Sequence, residues 1–480
     1  MPKIPNFYLW INGEAHESTD GTAIINPYDG SPIATVSIAG RRQITEALHG
    51  CHKAFIVLKH MSRFQRASIL ERMLDGLQDA MPEMVDALIM EGGKPKQFAE
   101  QEFTRTLAVF SWAAEEAKRF CGDRIPMDGM ERGIGYEGYT RREPIGPVLG
   151  ICPFNFPLNL VSHKVAPALA VGNPILIKPA TNTPISALIL ARIASEAGAP
   201  PGSLNVLPMR HADISLLLGS DDIRMVTFTG SPEVGWALKK KVEKQRIVLE
   251  LGGNSGTIVD ASANLAWAAK RCVLGGFAQA GQSCIAVQRI YVHTSVFDSF
   301  LDILTAETKT LKIGDPRKAD VMVGPVIHSR SADRIMAWLE EAVSSGAKIV
   351  YGGKRRRMGC GNVIEPTIVT HVKEDMGICC KEIFGPVVTV TPYEELETAF
   401  QWCNHSDFGL QAAIFSNDLH HVHQAIDSLN VGGVIVNDVP AYRVDHMPYG
   451  GVKDSGLGRE GIRSSMLEMT HEKMVVIRKE

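Results

Sequence analysis

PILIKPATNTPISALILARIASEAG, residues 174–198, opens with a short apolar run and passes a breaker into helical spacing. Pro174–Lys178 is a candidate buried strand. Thr183 is placed to cap a helix with Pro184 in its first turn, running from Ser186 to Ala197 and stopping at Gly198. The alternation continues outward: strand Leu204–Leu207, helix Ala212–Leu218, strand Met225–Thr229, a helix opened by Ser231 and Pro232 to about Val242, and strand Ile247–Leu251. Strands alternating with helices at this spacing predict βαβ units and a parallel sheet.

A second alternating region follows Gly253. It has helical periodicity over about 263–278 and 295–311, and strands over 287–292, 347–351, 387–391 and 411–415. The first third is mostly helical after Gln43, over 64–80 and 99–120. Two α/β lobes therefore share the chain, with Glu250 near their junction. Gly133–Tyr139 and Lys473–Arg478 read as exposed strands. A chain of 480 residues exceeds one ordinary core, and two or three domains are expected.

Composition narrows the function. Lys plus Arg total 50 against 53 for Asp plus Glu, so no basic excess exists to neutralise a phosphate backbone, and nucleic acid is not an expected partner. No run of about 18 apolar residues occurs, and the N-terminal residues lack an apolar leader core. A soluble cytoplasmic protein with no membrane partner is expected. The nine cysteines form no CxxC pair, so neither a metal site nor a disulfide framework is expected.

Three residues suggest chemistry. Cys284, in AGQSCI, is a thiol beside small neighbours; Glu250, in LELGGN, is a carboxylate ending an apolar strand, where burial raises its pKa. Asn155, in PFNFP, is an amide that can donate to a developing oxyanion; losing one such donor costs about 3–4 kcal/mol of transition-state stabilisation. Taken singly, Cys284 reads more readily as a buried structural cysteine, and Glu250 also reads as a solvated strand end and Asn155 as a turn residue. Together they outline oxidation of an aldehyde to a carboxylate through a thioester. Gly230-Ser231-Pro232-Glu233-Val234-Gly235 joins a strand to a helix N-terminus, a place for a pyrophosphate, although G-x4-G is not the usual dinucleotide fingerprint.

Seven motifs in one order carry a resemblance: PFNFP (153–157), LIKPA (176–180), FTGSPEVG (228–235), LELGGN (249–254), GQSC (281–284), EIFGP (382–386) and GGVKDSGLGREG (450–461). The chain resembles the aldehyde dehydrogenase superfamily over nearly its whole length. It is most similar to the branch of lactaldehyde dehydrogenase and non-phosphorylating glyceraldehyde-3-phosphate dehydrogenase. The resemblance implies an aldehyde-dehydrogenase-like α/β fold: a Rossmann-like cofactor-binding domain (1–122 and 145–252), a catalytic domain (253–462) and a small β ribbon (123–144 and 463–480) that joins subunits into a homodimer or homotetramer.

The same resemblance implies site residues. Cys284 is the nucleophile, Glu250 the base that activates the hydrolytic water, and Asn155 the oxyanion donor. Ile151, Pro153, Phe154, Lys178, Thr181, Gly230, Ser231, Val234, Gly235, Leu251, Glu382 and Phe384 hold NAD or NADP. Arg105, Asn155, His163, Ser283, Arg443 and His446 meet the aldehyde. Many NAD-preferring relatives carry Glu where Thr181 stands. A short neutral side chain beside Lys178 leaves room for a 2′-phosphate, so NADP is expected to be accepted or preferred. Relatives that pass the acyl group to coenzyme A lack the glutamate, so Glu250 favours hydrolysis. Arg105, Arg443 and His446 suggest a small polar or anionic aldehyde, with a phosphorylated three-carbon aldehyde and a CoA-acylating reaction as the alternatives. Arg105 is equally spaced for an ion pair with Glu102 on its own helix.

Overall fold

A computed structural model describes residues 4–479. An eight-stranded sheet has at its centre five parallel strands in the spatial order Arg246–Glu250, Met225–Thr229, Val148–Ile151, Ile175–Lys178, Leu204–Val206. In the chain the three strands from Val148 to Val206 step one way, and the next two return on the other side of Val148–Ile151. The order therefore reverses between Val148–Ile151 and Met225–Thr229, and a crevice opens at the C-terminal ends of those strands. Register sets what lines it: Ile151 pairs with Lys178 and Thr229 with Glu250, so Lys178, Ile151, Thr229 and Glu250 follow one another along a single sheet edge.

Helices cover both faces, as buried parallel strands require. Arg63–Asp79, Lys96–Arg119, Asn159–Val171 and Ile185–Glu196 pack on one side; Arg41–Leu58 and Ile214–Leu218 pack on the other. A second sheet of seven strands runs in the order Lys348–Tyr351, Thr367–Thr370, Val387–Tyr393, Val287–His293, Ser255–Val259, Gln411–Phe415, Gly433–Val436; all but the first are parallel. A third, antiparallel ribbon pairs Tyr136–Pro144 with Thr470–Arg478 through nine register positions, with Arg124–Ile125 on its edge. It exposes Tyr139, Met474, Val476 and Ile477. No described helix is long and apolar enough to cross a membrane.

The α/β architecture agrees with the sequence reading, and three local expectations change. Residues 131–133 form a short 3-10 turn, and the ribbon strand starts only at Tyr136. The helix expected to 242 ends at Lys239. Thr183 does not cap the helix Ile185–Glu196: its hydroxyl is buried without a hydrogen-bond partner among the described residues. Glu91, from the helix Met81–Gly92, takes that place. Its carboxylate accepts the Ile185 and Ser186 N–H groups at 2.7 and 3.1 Å and the Ser186 hydroxyl at 2.7 Å. Burial pushes Glu91 up to about 7, against the pull of those three bonds. Glu91→Ala strips the cap and leaves a void, and is expected to destabilise the protein by about 2–4 kcal/mol. An unchanged urea midpoint would contradict this.

Candidate active site

The nucleophile candidate sits on a strained turn. After the helix Leu265–Phe277, three successive residues take left-handed conformations: Gln279 (φ 52°), Ala280 (φ 56°) and Gly281 (φ 66°). For the two non-glycine residues this costs about 1–2 kcal/mol each, so surrounding contacts must hold them. A Cβ at position 281 would lie 2.2 Å from the Gly385 carbonyl oxygen, so only glycine fits. The Gln279 side chain donates to the Asn155 carbonyl at 2.5 Å, and Gln282 Oε1 accepts the Ile327 N–H at 2.9 Å.

Asn155 is fixed from two sides. Its amide donates to the Gln282 carbonyl at 3.0 Å, which leaves the second amide proton free. Its own carbonyl accepts from the buried Lys94 at 2.8 Å. Lys94 pairs with Glu102, whose carboxylate also accepts the Leu158 and Asn159 N–H groups at 3.0 Å, capping the helix Asn159–Val171. Glu102 is thus committed to the interior, and the Arg105–Glu102 ion pair does not form. Arg105 instead binds Asp445 through two bonds, of 2.7 and 3.1 Å.

Cys284 and Leu160 border two cavities. The larger, about 940 Å³, lies along the crevice edge; the smaller, about 210 Å³, leads in from the other side. The larger falls within the roughly 300–1,000 Å³ of small-molecule sites. Burial pushes the Cys284 thiol up to about 12; a hydrogen bond with Tyr449 and the Arg443 charge oppose this, while Glu382 and Glu250 add to it. Glu250 lines the larger cavity, and both of its buried carboxylate oxygens lack a hydrogen-bond partner among the described residues. Burial raises its pKa well above the usual carboxylate range. The Glu460 charge raises it further, and Arg443 and Lys164 pull the other way. Glu460 holds the charge of this pair, because Lys164 bonds it at 2.7 Å and Arg443 stands 3.5 Å away.

In the larger cavity, Lys178, Thr181 and His211 stand toward one end of the sheet edge and Glu250 toward the other. Lys178 is buried and pushed down to about 8 by that burial; among the described residues its ammonium donates only to the Pro179 carbonyl, at 3.2 Å. Gly230 and Ser231 open the helix Pro232–Lys239, and the Ser231 side chain makes no capping bond, so first-turn N–H groups face the cavity uncapped. This bare terminus beside a buried cation fits a dinucleotide pyrophosphate and ribose. Ile151, Pro153, Phe154, Val234 and Leu251 supply its walls. Gly235 is not on that wall: a Cβ there would meet Leu251 Cδ2 at 2.4 Å, so it seats the helix on the strand. Glu382 accepts the Gly253 N–H at 3.0 Å and is pushed up to about 7 by burial; Phe384 meets Phe154 edge-on at 5.8 Å.

The smaller cavity is lined by Arg105, Phe156, Ser283, Arg443 and Tyr449. Two expected contacts stand away from it. His163 is fully buried and bonds Asp445 at 2.9 Å, and His446 stacks on Trp112 at 4.4 Å. Asp445 gathers Arg105, His163 and Asn159. Despite its burial, the His163 and Arg105 bonds hold its carboxyl far below the usual range. Arg443 differs from Arg105: it is buried, lies 3.8 Å over the Tyr449 ring, and its Nε and one terminal nitrogen have no hydrogen-bond partner among the described residues.

The profile of the aldehyde dehydrogenase family matches residues 10–475. The chain belongs to the aldehyde dehydrogenase family. With that family, it is an oxidoreductase acting on aldehydes with a nicotinamide cofactor. This aldehyde dehydrogenase is 41% identical over 479 residues to the 3-sulfolactaldehyde dehydrogenase of Priestia aryabhattai, covering 99% of both chains. Aldehyde dehydrogenase 21 of Physcomitrella patens, solved with the reaction product succinate, matches with TM-score 0.96 and 38% identity over 99% of each chain. A glyceraldehyde-3-phosphate dehydrogenase of Methanocaldococcus jannaschii, solved with NADP, matches with TM-score 0.91 and 34% identity, over 96% of this chain and all of that one.

Sequence reading missed Tyr449, His211, Lys164, Glu460, Gln279 and Asp445 as parts of the site. Tyr449 immediately precedes the recognised glycine run and Glu460 lies within it, a signal that was present. Lys164 and Asp445 carried none, since their partners lie 296 and 340 residues away.

Proposed function

We propose that this chain oxidises a small aldehyde bearing a single anionic group to the free acid, by covalent catalysis at Cys284 and with NADP accepted. The observation that carries the reading is the position of Cys284 between the two cavities, with the unpartnered Glu250 carboxylate in one and the unsatisfied Arg443 guanidinium in the other. The thiolate attacks the aldehyde carbon, and the free amide proton of Asn155, with the Cys284 N–H, receives the oxyanion. A bound nicotinamide dinucleotide, held by Lys178, Thr181, the Ser231 helix terminus, Glu382 and Phe384, supplies the hydride acceptor. Glu250 takes a proton from water, which then attacks the thioester carbon; the carboxylic acid leaves and Cys284 is freed. Its elevated pKa suits a base working near neutrality.

One negative charge, rather than two, matches the charge balance of the small cavity. Arg105 is held by two bonds from Asp445 and Ser283 brings no cation, whereas Arg443 shares Glu460 with Lys164 and keeps two buried nitrogens without a hydrogen-bond partner among the described residues. Carboxylate and sulfonate both satisfy it, and two of the three named relatives are a dehydrogenase of a sulfonated aldehyde and one solved with a dicarboxylate product, the third being a glyceraldehyde-3-phosphate dehydrogenase. Lys178 and Thr181, with His211 beside them, support acceptance of a 2′-phosphate. The exposed ribbon of Tyr136–Pro144 and Thr470–Arg478 supports homo-oligomerisation and the three-part domain division, since bare strand edges invite pairing.

The test is a panel of anionic and neutral aldehydes of equal length, each with NAD and NADP, followed by reduced-cofactor absorbance. In Arg443→Gln the ratio of kcat/KM for anionic over neutral aldehyde is expected to fall about 30- to 100-fold, with a smaller fall in Arg105→Ala. Equal losses on both substrates would sink the anion anchor, and a strong preference for NAD would sink the cofactor reading.

A further inference from the structure

The sulfur of Cys284 is poorly provided for as a thiolate. Among the described residues one polar side-chain atom reaches it, the Tyr449 hydroxyl at 3.1 Å, and no lysine, arginine or histidine nitrogen bonds it. A buried thiol without a stabilising donor remains protonated and inert. Tyr449 is buried, and its backbone is pinned by reciprocal bonds with Glu460 (2.9 and 2.7 Å). Its hydroxyl therefore has a fixed position, and the Arg443 guanidinium lies 3.8 Å over its ring. A cation on the ring face draws electron density from the phenol and strengthens its O–H as a donor.

We propose that Tyr449 is a catalytic residue of this chain, whose phenol O–H donates to the Cys284 sulfur and stabilises the thiolate as it forms, with Arg443 as the positioning cation that strengthens the donor. The inference deepens the reading of Cys284 as nucleophile and rests on it. Ionisation moves the thiol proton to solvent through the open cavity; the phenol keeps its own proton throughout. Burial raises the Tyr449 pKa well above that of an ordinary phenol, which agrees with a hydroxyl that donates. When sulfur bonds to the aldehyde carbon, negative charge leaves sulfur for the carbonyl oxygen. Tyr449 then has nothing to stabilise, and Asn155 takes over. The two donors act in succession, one before the C–S bond and one after it.

The test is the rate of Cys284 alkylation by iodoacetamide between pH 6 and 10, followed by mass spectrometry of the Cys284 peptide, in the unmodified chain and in Tyr449→Phe. This readout uses neither aldehyde nor dinucleotide. Removing one hydrogen bond to a charged sulfur is expected to move the midpoint of the profile up by about one pH unit or more. A more basic thiolate is also the better nucleophile, with a Brønsted slope of about 0.4–0.5. Both thiols titrate above this range, so alkylation of Tyr449→Phe should be about threefold slower throughout pH 6 to 10. A merely structural role for the hydroxyl loosens the pocket and speeds alkylation; that result, or superimposable rates, overturns the proposal. Arg443→Gln should slow alkylation the same way, and less in a Tyr449→Phe background; equal slowing in the two backgrounds removes Arg443 from it. If Cys284 were not the nucleophile, aldehyde oxidation would survive Cys284→Ala, which separates that failure from this one.

Discussion

Cys284→Ala is expected to lower kcat for aldehyde oxidation by about four to six orders of magnitude while leaving dinucleotide binding intact. Among the described residues the thiol is the one strong nucleophile on the wall shared by both cavities; Cys152 lines only the larger one. The side chain packs, half-buried, against the small cluster of Ile285, Leu410 and Tyr449, so truncation removes little core. Binding, read by quenching of intrinsic fluorescence, should persist because Lys178 and the Ser231 helix terminus lie along a different part of the cleft. Rapid oxidation by the alanine variant would rule out a covalent route.

Glu250→Gln is expected to divide the reaction. The first turnover should still yield about one reduced cofactor per site, and the steady rate that follows should fall about 10²- to 10³-fold, because water loses its base. In the unmodified chain the steady rate should rise with pH through the elevated Glu250 pKa, since only the carboxylate accepts a proton; the glutamine variant should lose that limb. Stability should move oppositely. A carboxyl whose folded pKa lies above its unfolded one favours the fold at pH values below the unfolded pKa, and loses that contribution as pH rises through the folded pKa. Glu250→Gln should therefore melt higher than the unmodified chain at pH 8, with the difference shrinking toward pH 5. Disappearance of the initial burst would move Glu250 into thiol activation.

The strands were legible where β-branched runs stood between helices with one polar face: Ile175–Lys178, Met225–Thr229, Arg246–Glu250, Val287–His293 and Gln411–Phe415 all appear near their expected bounds. The central strand Val148–Ile151 and the helix Asn159–Val171 were not. The strand is four residues long and carries Gly150, where a Cβ would meet Ile177 Cδ1 at 2.6 Å. The helix is buried on every side and contains Pro167, so it has no polar stripe to give it a period. The site divided in the same way. Cys284, Glu250 and Asn155 stood in local patterns of small and turn-forming residues, which travel with the chemistry they serve. Arg105 and Glu102 looked like a pair because spacing on one helix is all that a local pattern reports.

By itself the sequence determined an α/β architecture, membership of a family by seven ordered motifs, and the identity of the reactive side chains, because these depend on residue type and on neighbours a few positions away. Only the tertiary structure decided which charges remain available. Asp445 neutralises Arg105 across 340 positions, Lys164 holds Glu460 charged across 296, and Tyr449 reaches Cys284 across 165. Electrostatic free energy depends on distance and burial in space, and chain order carries neither.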